Sequence, residues 1–600
     1  MANNNKNTYN TIIIGSGCAG YNAADWLHDL GTTDIAIVTE GINKGTSRNT
    51  GSDKQTYYKL TIAGNEPDSV HEMATTLYEG GSVHGDTAMV EAACSVKSFM
   101  KLVNLGLPFP TNRYGAFVGY KTDHDPRQRA TSCGPLTSKL MTEALERSVK
   151  AKAIPILDDC TVVKLLVKEN KIYGLVYYNP KQGLCELYAQ HIILATGGPA
   201  GVYADTVFPI SQTGGTGLAI AAGAAACNLH QWQYGLASTD FRWNVSGTYQ
   251  QVLPRYISVD DAGNEYEFLQ EHLGTPDALN RVFLKGYQWP FDTQKINGSS
   301  QIDLLVAAEI KEKGRTVYMD FRRNPTGLSF NDLSAEAYDY LAKSEALFGT
   351  PIERLAKMNP KAIQLYKDNG IDLYHEPLKI AVCAQHCNGG IAVDTNWESS
   401  IKGLYVAGEA AGTFGVYRPG GSALNSTQVG SMRAAEHIAA NSKQGSNSPA
   451  YDVAEKLPQP AVTYSHIPTA QANQAAIQEA MSHYAAYNRD ISKMRKLYDD
   501  LCTHTTHFFQ DNTISDDSQL PYLYKSYDQL LTRVAMLSAM ILSAETCGSH
   551  GGALVNSAPP KSDMKFDKVI TTSGSSSYYE PVRPLPESND WFEKVWNQEA

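Results

Sequence analysis

The chain has 600 residues, 42% of them apolar and 19% charged, with a net charge of −11. That length predicts about three or four folding units, long enough to bury a core without disulfides or a structural metal. The composition excludes global disorder, and the acidic balance excludes retention on nucleic acid by the overall field. Thr11–Ile14 is a β-branched run that predicts a buried parallel strand. Gly15-Ser16-Gly17-Cys18-Ala19-Gly20 comes next, then a helical stretch from Tyr21 to Leu30. Asp34–Thr39 predicts a second strand, ended by Glu40, which lies 20 residues after Gly20. In this pattern Gly15 permits a tight turn and Gly17 lets a pyrophosphate approach the backbone. Gly20 packs helix on strand, and the helix N-terminus offers amides to the phosphates. Ala19 belongs to the same cofactor-binding turn. Glu40 is suited to accept ribose hydroxyls and would repel a 2′-phosphate, which argues against NADP.

Later glycine knots repeat the theme. Gln190–Gly198 reads as a strand that breaks into Ala195-Thr196-Gly197-Gly198. Ile401–Glu409 reads as turn, strand, Gly408 and Glu409. Tyr417-Arg418-Pro419-Gly420-Gly421-Ser422-Ala423-Leu424 leads into a helix expected over 426–440. A helix N-terminus beside a glycine pair places amides against the anionic edge of a reduced flavin. The ATGG segment resembles the return strand of flavoproteins with two dinucleotide-binding domains, and GLYVAGE resembles their second FAD signature. The order of the knots selects FAD. Further on, 471–501 and 527–544 carry apolar stripes without proline and predict long helices.

These motifs resemble the flavoprotein subunits of succinate dehydrogenase and fumarate reductase and their soluble relatives, over nearly the whole chain. His386-Cys387-Asn388-Gly389-Gly390-Ile391 resembles the family's HxxGG segment. Thr213–Gly217 resembles its glycine loop, and Trp232-Gln233-Tyr234 its Trp-Gln-Phe segment. Glu309–Arg315 resembles its Glu-Ile-Arg-Glu-Gly-Arg run, and Glu545–His550 its Glu-Ser-Arg-Gly-x-His. The resemblance implies an α/β fold with a split Rossmann-like FAD-binding domain (1–245 plus 375–445). It also implies an inserted α+β capping domain (246–374) and a C-terminal helical domain with a short closing strand region (446–600). It places His386 and Arg418 at the catalytic positions that hold and polarise a carboxylate, and Tyr234 and His550 at the substrate. It adds Asn49, Thr50, Gly51 and Val163 to the cofactor contacts.

Departures from the family pattern narrow the expected chemistry. Asn49 stands where the family attaches flavin through a histidine, so non-covalent FAD is expected. Gly235 and Leu236 come after Tyr234 where the succinate branch has a carboxylate-binding histidine. The proton-shuttling arginine position falls on Ser299 or Leu304, which leaves tyrosine, Arg281 or Arg315 as donors. Thr216 replaces an aspartate of the glycine loop. Trp232, Tyr234, Phe241, Trp243, Tyr249 and Tyr256 either face a flatter, less charged ligand or pack the domain junction. The expected function is hydride transfer between flavin N5 and a C–C bond conjugated to a carbonyl or carboxylate, in an ene-reductase or dehydrogenase that is not a strict fumarate or succinate enzyme. An oxidase of the aspartate oxidase type and a non-catalytic electron-transfer subunit stand as alternatives. Ten cysteines show no CxxC, zinc or iron–sulfur spacing, so electrons must come from a separate protein or from reduced flavin or nicotinamide. The sequence shows no signal-peptide pattern and no apolar run of membrane-spanning length, so a cytoplasmic enzyme of a small-molecule substrate is expected, without nucleic acid or membrane.

Overall fold

The computed structural model describes residues 6–64, 67–442, 462–555 and 566–587. Strand β1 (Thr8–Ile14) ends at the glycine turn and helix α1 (Cys18–Asp29) returns across it. Strand β2 (Ile35–Val38) then pairs parallel with β1, Ile13 opposite Ile37. Ile12, Ile13 and all of β2 are buried, because a parallel strand covered on both faces needs apolar side chains at every position. Strand β3 (Ile156–Leu157) extends the sheet beyond β2. Strands β4 (Thr161–Lys168), β5 (Lys171–Asn179) and β6 (Gly183–Leu194) form an antiparallel meander, and the end of β6 lies parallel to β1.

The chain leaves this sheet at Leu194. The short helix α2 (Thr216–Ala221) comes after the glycine loop. Strands β7 (Trp232–Ser238), β8 (Arg255–Val259), β9 (Thr316–Asp320) and β10 (Leu378–Cys387) then build an antiparallel sheet in the order β7-β10-β9-β8. Strand β11 (Leu404–Val406) rejoins the first sheet in parallel beside β6, with Tyr405 opposite Ile193. The Rossmann-like unit is therefore split, as the order of the glycine knots implies. The second sheet takes strands from both sides of the borders expected at 245 and 375, and we propose the segment between β7 and β10 as the cap.

Helix α3 (Ser422–Asn441) crosses α1, where Asn22 Nδ2 donates to Gln428 O at 3.0 Å and Ser431 Oγ at 2.7 Å. The border expected at 446 lies outside the described residues. The single stripe expected over 471–501 is instead two helices, α4 (Ala470–Tyr484) and α5 (Ile491–Asp511). Between them Asn488–Arg489 pairs with Leu554–Val555, and the buried Arg489 donates Nη2 to His230 O at 2.6 Å. That tertiary anchor overrides the local helical pattern. Helix α6 (Leu520–Cys547) is long and apolar enough to cross a membrane, yet 67% of its apolar window is buried inside the protein. It packs on α2, where Asp528 Oδ1 accepts the Leu218 amide at 2.7 Å.

Candidate active site

The glycine turn is imposed by close approach. Gly15 sits at φ +112, and a Cβ there would lie 2.3 Å from Ala195 O. Gly20 lies beneath the turn, where a Cβ would meet Gly15 O at 1.9 Å. Gly17 caps α1 without a side-chain bond of its own, and no acid occupies the first turn, so the helix presents its positive end, its Cys18 amide donating to Ser47 Oγ at 3.3 Å. Helix α3 begins the same way, from Gly421 at φ +90. Both N-termini open on one cavity of about 710 Å³, within the range of small-molecule and cofactor sites.

The cavity wall takes Gly15, Gly17, Ala19 and Glu40 from the first βαβ unit, and Thr50 and Gly51 from the next loop. Ala195, Thr196 and Gly197 come from the end of β6, Gly408 and Glu409 from beyond β11, and Gly421, Ala423 and Leu424 from the start of α3. These segments are distant in sequence and lie along one elongated space. The buried Thr196 hydroxyl has no protein partner there. Backbone amides at two helix ends, an acid at Glu40 and small residues between them fit the phosphates, ribose and ring of FAD.

Two expected cofactor residues face elsewhere. Asn49 is exposed, and its Nδ2 donates to Asn43 O and Gly45 O, both at 2.9 Å, closing the loop on itself. Val163 falls at a β-bulge between Val162 and Lys164, and Val162 lines the cavity in its place. The expected substrate contacts Tyr234 and His550 stand behind the wall. Tyr234 is buried with its hydroxyl 2.9 Å from that of Tyr203. His550 donates Nδ1 to Gly548 O at 2.8 Å, and its neighbours Gly551 and Gly552 reach the cavity instead. Of the six aromatic residues in 230–256, only Trp232 lines the cavity. Tyr249 donates to Ala362 O at 3.0 Å and Tyr256 to Gln250 Oε1 at 2.6 Å, so this cluster packs the junction.

His386 and Arg418 line the same cavity and are both buried. Asn388 Nδ2 donates to Gly415 O at 2.7 Å, which turns its Oδ1 toward His386 Nδ1 at 3.0 Å. The ring therefore carries its proton on Nδ1 and leaves Nε2 without a partner. Burial and the Arg418 charge hold His386 well below the usual histidine range. Burial lowers Arg418 to about 10 against the pull of Glu409, so the guanidinium stays charged at neutral pH. Its Nε has no hydrogen-bond partner. Glu409 is pushed up to about 7 by burial, although its Oε1 accepts the Cys387 amide at 2.9 Å and Arg418 opposes the rise. A buried cation with an unpartnered N–H is a donor for an incoming anion.

The cavity wall also carries the rings of Trp289 and Phe291. A Cβ on Gly235 would lie 2.6 Å from the Trp289 ring, whose Nε1 donates to Leu236 O at 3.0 Å. Trp289 thus fills the space beside the position where the resemblance sets a second carboxylate-binding histidine. Phe291 continues this wall. Trp289 and Lys295 on the cavity carry no motif and are not visible in the sequence, and Tyr417, although part of the Arg418 knot, is not marked by it as a side chain on the cavity. Nor does the sequence mark Asp528, which brings an acid to the glycine loop from α6 where Thr216 lacks one.

A family profile described as an FAD binding domain matches residues 10–424. The chain is 25% identical over 433 residues to an uncharacterised FAD-dependent oxidoreductase of Methanocaldococcus jannaschii, covering 70% of this chain and 69% of the relative. It is 26% identical over 453 residues to an L-aspartate oxidase of Mesorhizobium japonicum, covering 72% and 75%. Among solved structures, the quinol fumarate reductase subunit FrdA of E. coli matches with a TM-score of 0.70 at 19% identity over 97% of both chains. Sdh1 of Mycobacterium smegmatis matches with a TM-score of 0.72 at 16% identity, over 99% of this chain and 97% of that one.

Proposed function

This chain belongs to the FAD binding domain family, and on that premise we propose that it is an oxidoreductase moving a hydride to or from a C–C bond conjugated to one carboxylate or carbonyl. The observation that carries the reading is the pair of unpartnered, buried nitrogens, His386 Nε2 and Arg418 Nε, on the wall shared with the FAD signature residues. Bound FAD supplies the hydride chemistry at its N5. Arg418 holds the substrate carboxylate through its fork of donors. His386, taking up a proton from solvent as the anion approaches, adds a second hydrogen bond and draws electron density toward the carboxylate. Trp289 and Phe291 face the rest of the substrate and offer no charge to a second carboxylate. That favours a monoenoate or enone with a flat apolar tail over a four-carbon dicarboxylate. Asn49, exposed and facing away, supports non-covalent FAD. Electrons would arrive from a separate protein or from reduced flavin or nicotinamide.

An oxidase reading is kept because a curated relative is an L-aspartate oxidase. The two separate in one experiment. Dithionite-reduced holoprotein is mixed anaerobically with cinnamate, an enone or fumarate, and separate oxidised holoprotein is mixed aerobically with L-aspartate under a peroxide assay. Recovery of oxidised-flavin absorbance with cinnamate or the enone, faster than with fumarate, supports the proposal. Peroxide release that depends on L-aspartate supports the oxidase, and no reoxidation by any of the three acceptors removes the proposed reaction.

A further inference from the structure

A hydride added to one carbon of a conjugated bond leaves its neighbour to take a proton, so the site needs an acid on the cavity wall. The arginines left open by the sequence do not lie there. Arg281 pairs with Asp277 at 3.7 Å, and Arg315 pairs with Glu309 at 3.0 Å while stacking on the Tyr266 ring. Neither lines the cavity. Ser299 is fully buried and donates to Gln288 Oε1 at 3.0 Å.

Beside Arg418 the cavity instead holds a connected group of titratable side chains from three segments. Tyr417 donates its hydroxyl to Asp292 Oδ1 at 3.4 Å. Asp292 is 4% exposed and is fixed by its own bond from the Gln294 amide at 2.9 Å. Its Oδ2 has no hydrogen-bond partner and lies 3.9 Å from Lys295 Nζ. Lys295 pairs with Asp123 at 2.7 Å, Asp123 lies 3.6 Å from His124 Nε2, and the His124 ring lies 5.0 Å from that of Tyr417. All five residues line the cavity. The group runs from the buried Asp292 to the partly exposed Lys295, Asp123 and His124, which gives a route from the site to water.

We propose that Tyr417 is the acid and base that exchanges the substrate α-proton, with Asp292 orienting its hydroxyl and Lys295 and Asp123 linking it to solvent. The assignment rests on the hydride-transfer reading. In the reducing direction the hydride supplied by reduced FAD forms the β C–H bond and brings both electrons. The π pair moves to the α-carbon, the Tyr417 O–H bond breaks, and its proton forms the α C–H bond. The phenolate recovers a proton from water by way of Asp292 and Lys295. Oxidation runs the same steps backwards. Burial, and the Asp292 charge with it, raise the Tyr417 pKa, so the residue rests as a phenol. The charged and titratable groups linked to it are Asp292, Lys295, Asp123, His124 and the adjoining Arg418.

The test compares wild type, Tyr417→Phe, Asp292→Asn and Arg281→Gln holoproteins, each checked for FAD content. Reduced enzyme is reoxidised by cinnamate in D₂O, and the α-deuterium of the product is assigned to one or both faces. Wild type places deuterium on one face. Tyr417→Phe with FAD retained slows reoxidation by roughly 100-fold or more, and its residual product carries deuterium on both faces. Asp292→Asn keeps an oxygen to accept the Gln294 amide, slows the reaction and alters its pH profile, and Arg281→Gln stays within about twofold of wild type. A Tyr417→Phe enzyme that is equally fast, or slow but still face-selective, overturns the assignment. If Tyr417→Phe loses FAD, an unchanged rate in Asp292→Asn overturns it. Failure of the wild type with cinnamate, enone and fumarate alike overturns the hydride-transfer reading and the assignment with it.

Discussion

At His386 the position of one proton governs how the site takes a ligand. The Asn388 bond fixes that proton on Nδ1, and burial beside Arg418 keeps the ring neutral when no anion is present. A carboxylate arriving at Nε2 therefore needs the ring to take up a proton from solvent, and binding is linked to proton uptake. A bound state with a higher histidine pKa than the free state binds more tightly as pH falls. Titration of oxidised holoprotein with 3-phenylpropanoate is expected to show weaker binding at pH 8 than at pH 6. In His386→Ala, FAD is retained and that slope disappears; a slope unchanged by the substitution counts against the role. Gly15 gives a second residue-scale prediction. With φ +112 and a Cβ position 2.3 Å from Ala195 O, Gly15→Ala is expected to purify with little or no flavin. His386 and Arg418 could be picked from the sequence because they sit inside motifs. Trp289 and Lys295 could not, because only the packing of the segment 289–295 against β7 brings them to the cavity: Phe291 donates its amide to Tyr234 O at 2.8 Å. Tyr417 stands in the Arg418 knot, but its bond to Asp292 is visible only in the fold.

The elements differ in how far sequence reveals them. Strand β1, helix α1 and strand β2 are written in local rules: a β-branched run, spaced glycines, a helix and a second apolar run. Strand β6 and helix α3 are marked by the glycines at their ends. The break between α4 and α5 is not local. It depends on Arg489 finding the His230 carbonyl, which no periodicity in 471–501 encodes. The bulge that exchanges Val163 for Val162 is likewise a property of the β4–β5 pairing. The loop holding Asn49 yields a test at this scale. Since Asn49 is exposed and bonded to Asn43 and Gly45, Asn49→His is expected to leave FAD releasable by denaturant. Flavin that stays with the denatured Asn49→His chain would show that the loop brings this position to the cofactor.

Over the whole molecule, the fold buries several acids, two of which, Glu409 and Asp528, line the cavity that fits an anionic cofactor. Glu409, Glu91 and Asp528 are each raised to about 7, in every case chiefly by burial. An acid with a raised folded pKa binds more protons in the native than in the unfolded state, so stability falls as pH rises from the unfolded value toward the folded one. In the FAD-free protein these acids work against the buried and half-buried His84, His191, His230, His386 and His550, whose lowered pKa values favour the folded state as pH rises, so the acids' share is read from a variant. Relative to wild type, Glu409→Gln should gain melting temperature as pH rises from about 4.5 to about 7; a difference that stays constant across that window contradicts the electrostatics. The glycine order made the split legible in the sequence, while the Trp289 and Phe291 rings on the cavity emerged only from the fold.

Everything proposed for the chemistry depends on the substrate carboxylate lying against Arg418, beside the cofactor. The absorbance of the bound oxidised flavin reports that contact while 3-phenylpropanoate is added to wild-type and Arg418→Met holoproteins. Wild type is expected to give a saturable spectral change, and Arg418→Met an affinity weakened roughly 100-fold, about 2.7 kcal/mol, with FAD content unchanged. Equal affinity in the two proteins would contradict it.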